Sequence, residues 1–347
     1  MNFLLTGGAG YIGAHIALLL LENEHSVTVL DNFSNSNLNV ITNLEILTKK
    51  KFNVCKADIC NKEDLIEIFS NQEFEAVIHL AALKSVSESV FNPKKYFFNN
   101  VHGTSCLLEV MKQFDVKNII YSSSATVYGS PRYLPVDEQH TVSCKNPYAE
   151  TKLLSEESLR KIAVQDQSWR IVCLRYFNPV GAHQSGLLGE DPVGIPNNLM
   201  PYVVDVAIGK LPYVNIFGND YDTHDGTGVR DYVHVMDLAT SHLLALNYIG
   251  INVIEHPEIK PKQNCENNNL HIFNIGTGSG YSVLDLIKTF ERVNNVPVPF
   301  RFSSRRSGDV SACYANTDLS TSSFKWKASR SLEEMCSSAW NYKQRSL

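Results

Sequence analysis

Along the first half of the chain, short apolar runs alternate with segments whose apolar residues recur at helical spacing. Asn2–Thr6 (N-F-L-L-T) predicts a strand. From Tyr11 to Glu24 the apolar residues Ile12, Ile16, Leu19 and Leu20 recur at helical spacing, which predicts an amphipathic helix. Ser26–Asp31 (S-V-T-V-L-D) is rich in β-branched residues and predicts a second strand. Further strands are predicted at Asn53–Asp58, Ala76–Ala81, Asn118–Ser122, Arg170–Arg175 and His271–Gly276, and helices at Lys95–Phe114, from Tyr148 onward and at Val235–Tyr248. Alternating strands and helices predict an α/β fold, a doubly wound parallel sheet covered on both faces with right-handed crossovers.

After Asn178 the texture changes. Residues 178–232 are rich in Gly, Pro and Asn and predict a loop-rich segment. The expected division is a nucleotide-binding domain from 1–177 and 233–276, and a smaller α+β substrate domain from 178–232 and 277–347. The polar, Asn-rich stretch 250–269 predicts a surface insertion. Composition narrows the function. The 347 residues carry a net charge of −5, with 44% hydrophobic and 19% charged residues, as in an ordinary globular protein. Lys49-Lys50-Lys51 is the longest basic run noted, so nucleic-acid and membrane-surface binding are not expected. Eight cysteines include no C-x-x-C pair and no zinc-like spacing, so no metal is expected and a reducing compartment is. With no secretory pattern at the start and no apolar run of membrane length, the expected location is cytoplasmic.

Two motifs carry candidate chemistry. In T-G-G-A-G-Y-I-G (6–13), Gly7, Gly10 and Gly13 follow a strand and open a helix. Glycines there permit a tight turn and let backbone N–H groups approach a pyrophosphate at the positive end of the helix. Asp31 ends the next strand, at the spacing of a carboxylate that binds a ribose, and no arginine stands beside it; this points to NAD rather than NADP. In N-P-Y-A-E-T-K (146–152), Pro147 suits a helix start, and Tyr148 and Lys152 then share one face. An amphipathic helix with an exposed lysine satisfies the same pattern. A nicotinamide cofactor supplies a chemical reason for it: a base must take the hydroxyl proton as hydride leaves a carbinol. The Lys152 ammonium and the nicotinamide charge are expected to lower the pKa of the Tyr148 phenol from its ordinary ~10. Hydroxyls at Ser122, Ser124 and Thr126 lie at the carboxyl end of the fifth strand, where ligands bind in doubly wound sheets.

These motifs, with S-S-S-A-T-V-Y-G, L-R-Y-F-N-P-V-G-A-H, G-I-P-N-N-L-M-P-Y, G-T-G-V-R-D-Y-V-H-V-M-D and R-R-S-G-D, make the chain resemble the extended short-chain dehydrogenase/reductases and, within them, the UDP-glucose 4-epimerases. The resemblance spans nearly the whole length. It implies a Rossmann-type domain holding NAD tightly. Tyr148 would remove the proton of the sugar 4-hydroxyl while hydride leaves C4, a 4-keto sugar would turn about its diphosphate link, and hydride would return to the opposite face. Ser124 and Thr126 would bond near the reacting oxygen, and Lys152 would orient a cofactor ribose. Tyr11, Ile12, Asn32, Asp58, Ile59, Leu80, Ala81, Lys84, Asn99, Ser122 and Phe177 would join the glycines along the cofactor. Lys84, Asn178, Asn198, Leu199, Phe217, Arg230, Arg306 and Asp309 would bind the UDP-sugar. Read singly, Arg230 beside Asp231 is also a surface ion pair, Asn197-Asn198 a turn and Phe217 a core residue. The resemblance further implies a homodimer, built through helices such as Lys95–Phe114 and Tyr148–Val164.

Cys313 matches a position that lines the sugar pocket in the family, where a tyrosine restricts substrates to glucose and galactose. A cysteine there leaves room for N-acetylated sugars, unless neighbouring loops fill the space. A nucleotide-sugar 4,6-dehydratase is the competing enzyme; relatives of that kind carry an Asp-Glu pair where this chain has Ser124-Ala125-Thr126. A redox-inactive NAD-binding scaffold is the competing non-enzyme, but such proteins lose the tyrosine or the lysine and this chain keeps both.

Overall fold

The computed structural model describes residues 1–192, 194, 196–256, 269–306 and 308–346. Its centre is a seven-stranded parallel sheet. Six strands are β1 (Asn2–Thr6), β2 (Ser26–Asp31), β3 (Asn53–Lys56), β4 (Ala76–His79), β5 (Asn118–Ser124) and β6 (Arg170–Tyr176). With Leu270–Ile275 at one edge, the order runs Leu270–Ile275, β6, β5, β4, β1, β2, β3. Strand order reverses between β1 and β4, and the crevice beyond their carboxyl ends is where such sheets bind ligands.

Both faces of the sheet are covered. Phe3, Leu5, Ile78, Ile120 and Val172 pack on one side with helices Tyr11–Glu22 and Val235–Tyr248. Their neighbours Leu4, Val77, Ile119 and Ile171 pack on the other, against Lys62–Asn71, Gly103–Gln113 and Pro147–Gln165. Successive strand residues point to opposite faces, so continuous apolar runs are needed when both faces are buried. Each fully buried leucine contributes about 2 kcal/mol to this core.

The remaining elements form a third cluster, with Met200, Val203, Leu286, Phe290 and Met335 at its centre. Helices Leu199–Ala207, Val283–Asn294 and Leu332–Arg345 pack there with short strand pairs, among them Val214–Phe217 with Phe300–Ser303. The expected loop-rich stretch 178–232 therefore contains a helix and several short strands. Helices Asn39–Thr48 and Lys62–Asn71 were also not foreseen. The long helix expected at Lys95–Phe114 is continuous but changes winding: Pro93–Tyr96 leads into a π-helical stretch, Phe97–His102, and then into Gly103–Gln113. Of the expected insertion 250–269, residues 257–268 lie outside the described residues. No described helix is long and apolar enough to cross a membrane.

Candidate active site

The glycine turn is shaped by close approach. Gly7 has φ of 70°, and a Cβ there would lie 2.8 Å from the Ala81 nitrogen. A Cβ on Gly13 would lie 2.4 Å from the Gly7 carbonyl oxygen. The following helix starts from Gly10, with no side-chain cap and no acid in its first turn, leaving its N-terminal N–H groups to a ligand. Asp31 Oδ2 accepts from the Ala9 N–H at 3.1 Å, and Oδ1 accepts from Phe33 N and Ser36 Oγ, each at 2.9 Å. The carboxylate thus ties the end of β2 to the loop. Asp58 accepts from Asn32 Nδ2 (2.9 Å) and from the Cys60 N–H (2.8 Å). Burial pushes the Asp58 carboxyl up, but these donors hold it below its ordinary value. Leu80 N donates to Thr6 O and Ala81 N to Thr6 Oγ1, which sets the segment after β4 against the glycine turn. A cradle that any Cβ would fill, with an acid knotted beside it, fits a dinucleotide.

The π turn serves this same edge. Asn100, buried, accepts from Leu83 N at 2.8 Å and donates to Leu83 O and Thr151 Oγ1, each at 3.0 Å. Asn99 Nδ2 donates to its carbonyl oxygen. The widened turn lets adjacent asparagines both join the network, tying the segment after β4 to the Pro147–Gln165 helix.

That helix begins as expected. Asn146 accepts from the Ala149 N–H at 2.9 Å and Pro147 takes the first helical position. Lys152 is buried rather than exposed; its Nζ donates to Ser122 O at 2.7 Å and lies 5.1 Å from the centre of the Tyr121 ring. Burial pulls Lys152 down to about 7, against the opposing charge of Glu156. The expected downward shift of the Tyr148 phenol does not come from the protein alone: burial raises it, and the hydrogen bond with Ser124 opposes this only in part. Ser124 Oγ also accepts from Thr126 Oγ1 (2.9 Å) and Thr126 N (3.3 Å), so the three hydroxyl groups converge at the end of β5. Beneath them lies a pair that sequence reasoning missed. Glu156, one turn beyond Lys152, accepts from Arg175 Nε (3.0 Å), Arg175 Nη2 (2.7 Å) and Ser123 Oγ.

The second half of the site comes from the later segments. Asn178 follows β6, its side chain exposed and its N–H bonded to Asp231 O. Arg230 is the register partner of Cys313. Asp231 does not pair with Arg230, as the surface-pair reading required. It is fully buried and accepts from Thr277 N and Oγ1, Gly278 N and Ala315 N, because adjacent strand residues face opposite ways. Nor is Phe217 core: it is exposed, with the Arg306 guanidinium 4.6 Å from its ring centre, and Arg306 Nε donates to Asp309 Oδ2 at 2.9 Å. Cys313 packs against the cluster of Ala125, Val127, Tyr128 and Phe177; burial pushes its thiol up to about 11, which keeps it protonated as a small apolar side chain. Asn198 precedes the helix that Leu199 begins. Lys84 and Asn198 meet through Glu190, also missed, because an acid in the loop sequence G-E-D-P has no periodic context.

Residues 4–339 match the family model described as GDP-mannose 4,6 dehydratase. The chain is 46% identical over 342 residues to the UDP-glucose 4-epimerase of Bacillus subtilis, spanning 99% of this chain and 96% of that protein. It is 47% identical over 348 residues to the UDP-glucose 4-epimerase of Homo sapiens, spanning 98% and 96%. In three dimensions it is similar to the crystal structure of UDP-glucose 4-epimerase from Bifidobacterium longum in complex with NAD+ and UDP. The TM-score is 0.92 at 43% identity, covering 99% of this chain and 98% of that one.

Proposed function

The chain belongs to the UDP-glucose 4-epimerases within the extended short-chain dehydrogenase/reductases, and on that premise we propose that it inverts C4 of UDP-hexoses with tightly held NAD, interconverting UDP-galactose and UDP-glucose. One observation carries the mechanism: a phenol, Tyr148, stands near the Ser124 hydroxyl and one helical turn from a buried lysine at the carboxyl end of the sheet. NAD, when bound, supplies the hydride acceptor and a positive ring. Tyr148 takes the proton of the 4-hydroxyl and later returns it. Ser124 and Thr126 orient the reacting oxygen. Lys152 is raised by Glu156 against its burial, so its proton is held beside the site near neutral pH. Arg230 and Arg306 suit the diphosphate, and Phe217 offers an apolar wall to the uracil. Asn178, Asn198, Leu199 and Asp309 complete that half.

The family model is named for a dehydratase, yet the segment Ser124-Ala125-Thr126 places hydroxyls where elimination of water needs a carboxylate acid and base. A redox-inactive scaffold would have no use for a buried lysine beside the phenol. Cys313, small and next to Phe177, supports acceptance of UDP-N-acetylhexosamines as well. A cytoplasmic homodimer is part of the same reading. Val90, Phe91 (82% exposed) and Phe98 (58% exposed) lie on the segment packed beside the Pro147–Gln165 helix, an apolar surface that a second copy would cover.

The test uses purified protein without added NAD. It is given UDP-galactose and the product is followed by proton NMR. Wild type converts it; Tyr148→Phe is expected to lose about 10²- to 10⁴-fold in rate. A Tyr148→Phe protein turning over at the wild-type rate refutes the assignment of the base.

A further inference from the structure

Two buried carboxylates elsewhere in this fold are saturated. Asp231 accepts four hydrogen bonds, and Asp237 accepts from Ser329 N and Oγ and from Arg330 N and Nη1. Glu190 is different. Its side chain is 8% exposed, yet among the described residues both of its donors share one oxygen: Lys84 Nζ at 3.0 Å and Asn198 Nδ2 at 2.6 Å reach Oε1, while Oε2 is buried with no partner among them. Neighbouring Tyr11 gives its hydroxyl proton to Gly181 O instead.

Asn198 is equally out of place. It stands at the N-cap of Leu199–Ala207, where an asparagine ordinarily accepts from its own helix, and makes no cap bond. Its amide is turned to Glu190. The two donors come from opposite halves of the molecule, Lys84 from the segment after β4 and Asn198 from the later segments. Both are more open to solvent than the carboxylate they share.

We propose that Glu190 is an internal counter-anion: it occupies Lys84 and Asn198 before UDP-sugar arrives and is displaced from them by the substrate's diphosphate. This rests on the reading of the cleft as a UDP-sugar site. A diphosphate carries more charge and more acceptor oxygens than one carboxylate, so it wins both donors when present. The half-satisfied carboxylate makes that exchange easy, since only one of its oxygens is held. Competition from Glu190 lowers the net gain on binding, which keeps the grip on the nucleotide loose enough for the sugar to turn between its two faces.

The experiment compares wild type and Glu190→Gln as purified holoenzymes. UDP affinity is measured by titration calorimetry and KM with UDP-galactose. Glu190→Gln keeps the shape and removes the competing charge, so UDP binds about three- to tenfold tighter and KM falls in parallel. In a Lys84→Met background the same substitution brings much less gain. A structure with UDP bound shows the Asn198 amide parted from Glu190. Unchanged or weaker UDP binding by Glu190→Gln, while wild type turns over UDP-galactose, overturns the proposal alone. So does a UDP complex in which Asn198 Nδ2 stays bonded to Glu190, or an effect confined to the amount of NAD released on denaturation. Wild type that neither binds UDP nor turns over UDP-galactose overturns the functional reading and the counter-anion together.

Discussion

Glu156→Gln tests whether the buried pair on the Pro147–Gln165 helix is structural, functional or both. Glu156 and Arg175 are 2% and 4% exposed, so neither charge has recourse to water. The carboxylate takes three donors, two of them from the guanidinium, and Arg175 Nη1 already lacks a partner among the described residues. Glutamine keeps one acceptor oxygen and turns an NH₂ toward the other donor. At least one Arg175 N–H is then left facing a donor, and the guanidinium stays buried without its counter-charge. Breaking such a pair from one side costs about 3–5 kcal/mol, against about 0–1 kcal/mol for an exposed pair. The midpoint of urea unfolding of the holoenzyme, with the slope held common, reads this directly. Replacing both partners, Glu156→Leu with Arg175→Met, removes the stranded charge and is expected to recover most of the loss. A single-variant loss below about 1 kcal/mol refutes the structural argument. The functional half has its own readout. Glu156 opposes the burial that holds Lys152 at about 7, so Glu156→Gln lowers Lys152 further. The alkaline limb of the kcat profile then moves to lower pH. Lost stability with an unmoved profile refutes that half alone.

Lys152 also makes stability depend on pH. Its folded value, about 7, lies below the unfolded one, so the unfolded chain holds the proton that the folded chain has released, and this group's contribution to stability rises with pH above 7. Between pH 7 and 9 the gain is about 2 kcal/mol, and Lys152→Met removes it; equal urea midpoint shifts in both proteins contradict the assignment. His15 and His79 are buried and held down at about 3, and His242 at about 4, all by desolvation. Below pH 6.5 the unfolded chain protonates them and the folded chain does not, so stability falls with acid, by about 2 kcal/mol per histidine at pH 5; a flat urea midpoint from pH 7 to 5 refutes this. Cys313→Tyr puts a ring beside Phe177 and is expected to cut turnover of UDP-N-acetylgalactosamine at least about 100-fold while sparing UDP-galactose; NMR showing both substrates lost, or neither, counts against the gate.

What was legible in the chain was local. The parallel sheet follows from apolar runs that need two covered faces. The glycine turn follows from a spacing that only close backbone approach explains. Tyr148 and Lys152 share one face of a helix because positions four apart come round together. Even here the fold adds what spacing does not show: burial raises the Tyr148 phenol. The π-helical stretch within the expected helix left no mark: F-F-N-N-V-H is compatible with an α-helix, and the widened turn lets Asn100 reach its partners at Leu83 and Thr151.

Each residue that was missed has at least one partner outside its own segment of the chain. Glu190 lies 106 positions from Lys84, and Asp231 lies 46 positions from Thr277 and 84 from Ala315. A carboxylate in a Gly/Pro-rich loop, or next to an arginine, reads as solvated because nothing nearby contradicts it. Only the fold separates the two cases. Asp231 is buried with every lone pair engaged and holds the loop after Leu270–Ile275 against Ala315; its charge is spent on architecture. Glu190, its side chain 8% exposed, has one oxygen idle among the described residues, and its donors Lys84 and Asn198 are both exposed. That difference in saturation, invisible in the sequence, is the physical ground for expecting Glu190 to move and Asp231 to stay.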